Sequence, residues 1–144
     1  MRHVWSVFCS RAVIDADTNN VTLVEVLEAL QIAPPIPPLP GILQLPCELV
    51  TLWSRQDLAT AEQGTARARL MAPDGHTELH TATYTVDLGG YPRIRHRLRL
   101  NGVPITGEGL HIWEVAFRAA PEDEWGVRAS VPLHISFLTE APAQ

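Results

Sequence analysis

The chain has 144 residues and a formal net charge of −5, with 46% hydrophobic and 19% charged residues. A chain of this length can bury roughly 68–70% of its unfolded surface without help from metal or disulfide, and the composition lies far from that of disordered segments. The acidic balance also works against nucleic acid or anionic membrane as a partner of the whole molecule, so any such binding has to be local.

All eleven basic residues are arginine. Without lysine for contrast, the choice of arginine at a given site says little, although its spacing still counts. The two cysteines, Cys9 and Cys47, each sit in an apolar run without a partner at metal or redox spacing, and read as buried thiols of a reducing compartment. The first residues carry no signal-peptide pattern and no apolar run reaches the length of a membrane span. The expected location is cytoplasmic, with no membrane association.

Val4 to Ile14 reads as a strand, and Asp15-Ala16-Asp17-Thr18-Asn19-Asn20 as a turn built on side-chain bonds to the backbone. Val21 to Ile32 resumes the apolar pattern. Leu23, Val26, Leu27 and Leu30 would share a helix face, but the hairpin turn and the β-branched content favour a strand.

The stretches Cys9-Ser10-Arg11-Ala12-Val13-Ile14-Asp15 and Thr18-Asn19-Asn20-Val21-Thr22-Leu23-Val24-Glu25-Val26-Leu27 resemble the N-terminal hairpin of a family of bacterial domains of unknown function. Trp125-Gly126-Val127-Arg128, leading to Pro132-Leu133-His134-Ile135, is similar to the last strand of that family. The resemblance covers about a quarter of the chain. It implies a small β-sandwich and brings no activity and no catalytic residues.

Residues 33–41 hold five prolines in seven positions, Pro34 to Pro40, which rules out helix and central strand. This segment reads as a stiff crossover between two sheets. The other reading is a polyproline ligand for an aromatic groove.

Leu45 to Ser54 is a further strand, Arg55 to Gln63 a polar loop or a single helical turn, and Gly64 to Ala72 a clean alternation of Ala66, Ala68 and Leu70 with Thr65, Arg67 and Arg69. Pro73-Asp74-Gly75 turns the chain into Thr77 to Leu88, and Gly89-Gly90-Tyr91-Pro92 turns it again.

Arg93 to Leu100 is the most specific stretch. Ile94, His96, Leu98 and Leu100 alternate with Arg93, Arg95, Arg97 and Arg99, which describes a strand with one face in the core and four guanidinium groups on the other. Same-face neighbours about 7 Å apart repel by roughly 0.6 kcal/mol per pair in a water-like dielectric, and salt reduces that further. Glu78, Asp87 or Glu114 on neighbouring strands are the expected counter-charges.

Leu110 to Ala119 and Trp125 to Leu138 complete the pattern around an acidic tip, Pro121-Glu122-Asp123-Glu124. The expectation is therefore an all-β chain: one antiparallel β-sandwich of seven or eight strands over residues 1–144, immunoglobulin-like or C2-like.

The sequence has no nucleophile elbow, phosphate loop or dinucleotide motif. It reads as a non-catalytic interaction or assembly module, without cofactor, that binds an acidic protein partner or a second copy of itself. The expected contact is Arg93, Arg95, Arg97 and Arg99, joined by Arg67 and Arg69 if their strand shares the sheet. A less favoured alternative is a metal-dependent or small-molecule activity at His76, His80 and His96, with Glu78 able to share a strand face with the first two. Nucleic-acid binding on the arginine ladder is a second alternative, with Tyr91 the one aromatic nearby for stacking.

Overall fold

Alternation of small or apolar with polar residues becomes strand throughout the chain. The computed structural model describes residues 1–139, so the end of the expected 1–144 unit lies outside the described residues. There is no helix among the described residues. Eleven strands follow in order: β1 (Arg2–Ile14), β2 (Val21–Val26), β3 (Ala29–Ile32), β4 (Gly41–Leu43), β5 (Cys47–Ser54), β6 (Gln63–Met71), β7 (Glu78–Asp87), β8 (Arg93–Leu100), β9 (Val103–Ile105), β10 (Gly109–Arg118) and β11 (Gly126–Phe137).

They form a four-stranded sheet in the order β2-β1-β5-β8, a five-stranded sheet in the order β3-β11-β10-β6-β7, and a small pair, β4-β9. Pairing is antiparallel except between β3 and β11, which run parallel.

The apolar faces of the two larger sheets meet. Phe8 and Trp53 of the four-stranded sheet lie 5.7 and 5.5 Å, centroid to centroid, from Trp113 and Phe117 of the other. Leu49, Leu70, Val115, Leu133 and Ile135 fill the same cluster, all essentially without solvent contact. A second, smaller cluster of Cys9, Ala12 and Val50, flanked by Trp5, Val7, Val21 and Leu23, lies apart from it.

Eleven strands replace the seven or eight expected, for two local reasons. The stretch Val21 to Ile32 is not one strand. Glu25 takes a left-handed φ of 54°, and beyond it the Leu27 amide donates to the Phe8 carbonyl at 2.8 Å while the Glu28 carbonyl accepts from the His134 amide at 2.9 Å. One segment thereby leaves the first sheet as β2 and enters the second as β3. The other two additions, β4 and β9, are three residues each, too short to show a period-two pattern.

Residues 33–40 carry neither helix nor strand. They lead from β3 into β4 of the small pair, which in turn precedes β5 of the four-stranded sheet. Asp15 closes the first hairpin by accepting from the amides of Asp17 and Thr18, and Asp74 closes the β6–β7 turn by accepting from those of His76 and Thr77. There Gly75 supplies the left-handed φ of 75° that the turn demands.

Candidate functional site

β8 lies at the edge of the four-stranded sheet and pairs only with β5, in a register that sets Glu48, Val50, Leu52 and Ser54 opposite Arg99, Arg97, Arg95 and Arg93. One carboxylate therefore sits within the ladder. Arg97 Nη2 donates to both Glu48 carboxylate oxygens, at 2.8 and 3.1 Å, and Arg99 Nε donates to Glu48 Oε1 at 2.9 Å. The Ala12 amide donates to Glu48 Oε2 at 2.5 Å, and the Ala12 carbonyl accepts from Arg97 Nη2 at 2.8 Å.

Two of the four arginines thus hold the β1–β2 hairpin against β8, since Arg95 also donates to the Asn19 carbonyl at 3.0 Å, while Arg99 ties β8 to β5 through Glu48. The expected counter-charges Glu78, Asp87 and Glu114 are not the ones used here. Burial pushes the Glu48 carboxyl up, but the Ala12 amide and the two guanidinium groups outweigh it and hold the group below the ordinary glutamate value.

Arg93 differs from the other three. Among the described residues it has no acceptor, and Arg2 reaches the same row from the other side, because Arg2 pairs with Ser54 and Ser54 with Arg93. Arg2, Val4, Leu52, Ser54, Leu58 and Arg93 line a shallow groove of ≈ 390 Å³ with Arg55 and Pro92. Its lining holds three arginines and no carboxylate. Arg55 is committed to the carbonyls of Leu88, Leu58 and Gly89, which leaves Arg2 and Arg93 as the groove's available charges. Val4 and Leu58 are exposed beside them, at 41% and 72%.

Arg67 and Arg69 do not join this surface. Their strand, β6, belongs to the five-stranded sheet, so the six-guanidinium face does not assemble. Arg69 instead pairs with Glu114 at 2.6 Å and Glu78 at 3.4 Å. Arg67 and Arg118 each stack over the Trp125 ring with the guanidinium carbon 4.4 Å from its centroid.

The histidines separate as well. A register shift between Leu70 and Met71 puts an extra residue into β7, and a bulge of this kind reverses which way the following side chains point. Glu78 reaches Arg69, whereas His80 turns edge-on to buried Trp113 at 5.9 Å. His76 lies in the turn, and His96 stacks on Tyr84, 3.4 Å between centroids and 4° between planes. No three potential ligands of the His, Cys, Asp and Glu types come together among the described residues.

His96 belongs to a polar row that the sequence pattern conceals. Ser6, Thr51 and His96 are neighbours across β1, β5 and β8. His3 Nε2 and Ser6 Oγ are 2.8 Å apart, and Ser6 Oγ and Thr51 Oγ1 3.0 Å. The Tyr84 hydroxyl accepts from Trp53 Nε1 at 3.3 Å. These bonds satisfy polar atoms inside the apolar layer. Burial pushes the His96 and His3 pKa values down, the latter helped by Arg128, so both rings favour the neutral form. The one signal in sequence was the interruption of apolar runs by Ser6 and Thr51.

Compared with protein-family models, with curated proteins and with solved structures, the chain matches none.

Proposed function

We propose that the chain is a non-catalytic interaction module, a β-sandwich in which the four- and five-stranded sheets are the two layers, and that it binds an acidic, partly apolar segment of a protein partner. The observation that carries this reading is the groove at Arg2 and Arg93. Two guanidinium groups flank Ser54 without a carboxylate in the lining, in a molecule of net charge −5, with Val4 and Leu58 exposed alongside. A carboxylate of the partner replaces the missing counter-charge, and its apolar neighbours cover the two exposed side chains.

A second copy is a further candidate for the same groove, because the tip at Glu122, Asp123 and Glu124 is exposed and acidic. Such a contact closes as a two-fold dimer when it is made reciprocally and otherwise builds rings or filaments. The unpaired thiols Cys9 and Cys47, buried in the two separate apolar clusters, support a cytoplasmic location. No helix among the described residues is long and apolar enough to cross a membrane.

The test is selection of displayed random peptides on the protein and on Arg2→Ser/Arg93→Ser. Enrichment of Asp or Glu beside apolar residues, lost with the double variant, is the expected result. Peptides without acidic preference, or unaffected by the double variant, overturn it. Sedimentation velocity on the same pair reads self-association: a concentration-dependent shift that the variant abolishes marks the second copy as the occupant.

A further inference from the structure

Two strand edges are open on one side of the molecule. β5 covers β1 from Arg2 to Cys9, but on the opposite side β2 pairs only with Cys9 to Ile14, leaving Arg2 to Val7 without a hydrogen-bonded strand on that side among the described residues. β11 is covered by β10 from Gly126 to Ile135, whereas β3 pairs only with His134 to Phe137. The sheet switch is the cause. One bent segment, β2 through Leu27 and Glu28 to β3, is shared between two edges and covers only the C-terminal part of each.

Two separate grooves lie along the uncovered stretches. The upper, ≈ 380 Å³, is lined chiefly by Val7, Phe8, Val26, Leu27, Val131 and Pro132. The lower, ≈ 500 Å³, is lined by Arg2, His3, Gln56 and Arg128 together with Met1. Residue numbers rise together on the two strands, from Arg2 near Arg128 to Phe8 near Pro132, so β1 and β11 run in the same direction. The upper groove is apolar apart from Glu28, and the lower is basic, without a carboxylate in its lining.

We infer that this seam takes an extended segment of a protein partner as an added strand along β1, with apolar side chains in the upper groove and a carboxylate at Arg2 and Arg128. An unpaired strand edge is a template for such addition. β1 is the pairing edge rather than β11, because Pro132 has no amide hydrogen to offer. Arg2 to Val7 span about 20 Å, enough for roughly six residues of partner. A partner that ends at the basic pole runs antiparallel to β1, the more stable of the two pairings. The inference rests on reading the protein as a contact module, but it uses a different face from the Arg93 groove, with Arg2 common to both.

The probe is the peptide acetyl-Val-Thr-Val-Thr-Val-Asp with a free C-terminus, titrated into the isotopically labelled full chain with amide chemical shifts as readout. Expected are shifts concentrated on residues 2–8 and 126–133. Amidating the terminus and replacing Asp by Asn, or the variant Arg128→Ser, weakens binding about tenfold. Val26→Asp, which places a carboxylate at a 51% exposed position on the groove wall, abolishes the shifts at residues 2–8 and 126–133. Shifts confined to the Arg93 and Ser54 row and sensitive to Arg93→Ser overturn the seam and support the outer groove. Absence of binding at millimolar peptide, or binding indifferent to Val26→Asp and Arg128→Ser, overturns the seam as well.

Discussion

Glu48 and Arg97 are joined through both carboxylate oxygens, at 2.8 and 3.1 Å, with the Glu48 side chain only 8% exposed and that of Arg97 22% exposed. The same carboxylate accepts from the Ala12 amide. The pair is thereby a fastening between hairpin, central strand and edge strand rather than a surface ion pair.

Removing the carboxylate leaves two guanidinium groups and one amide without their acceptor. Glu48→Ala is expected to destabilise the protein by about 3 kcal/mol, the range for breaking a buried charge pair by taking one partner. Urea denaturation at neutral pH measures it, and hydrogen exchange at Ala12 should rise with it.

The pH dependence has a definite sign. Because the folded-state pKa of Glu48 lies below its ordinary value, its contribution is complete above the unfolded pKa and disappears as pH falls through the folded one. Stability measured at pH 7 and at pH 3 should differ less in Glu48→Gln than in the parent chain. Equal differences in the two proteins contradict the assignment.

Within the ladder the four arginines are unequal. Arg97→Ala loses bonds to Glu48 and to the Ala12 carbonyl and should cost about 2–3 kcal/mol, since the buried carboxylate keeps only Arg99 and the Ala12 amide as donors. Arg99→Ala, at a side chain 68% exposed, should cost under about 1 kcal/mol, and Arg93→Ala within about 0.5 kcal/mol of nothing. Thermal or urea melts of the three variants give the order directly. A ladder acting as one charged face predicts three similar values instead.

Gly64 on β6 faces the core, and a Cβ there would overlap the Phe117 ring and lie 2.8 Å from the Arg118 carbonyl oxygen. Gly64→Ala should therefore cost about 1–3 kcal/mol as overpacking. Gly90→Ala, where nothing lies within 4 Å of the added atom, is the matched control and should change stability by less than about 0.5 kcal/mol.

Strand character was legible in the chain because a period of two is local. Ile94 and Leu98 against Arg93 and Arg97, or Ala66 and Leu70 against Arg67 and Arg69, needed only their own neighbours to declare an inner and an outer face, and the structure buries Ala66, Ala68 and Leu70 as that alternation places them. The turn at Pro73-Asp74-Gly75 was equally plain, since Asp74 and Gly75 carry its geometry in their own side chain and φ. Local chemistry reached that far.

Which strand lies beside which was decided only by the tertiary structure. Pairing in a sheet joins residues tens of positions apart, and alternation does not encode the neighbour. Glu48 therefore became the ladder's counter-charge although it stands in an apolar run 49 residues from Arg97, and Arg67 and Arg69 went to the other sheet with Glu114 and Glu78. A single extra residue in β7 sent Glu78 and His80 apart, and the bend at Glu25 and Leu27 moved β3 across to β11. Alternation along one strand gave each residue its face, while the match of apolar surfaces and buried charges over the whole chain chose its partner.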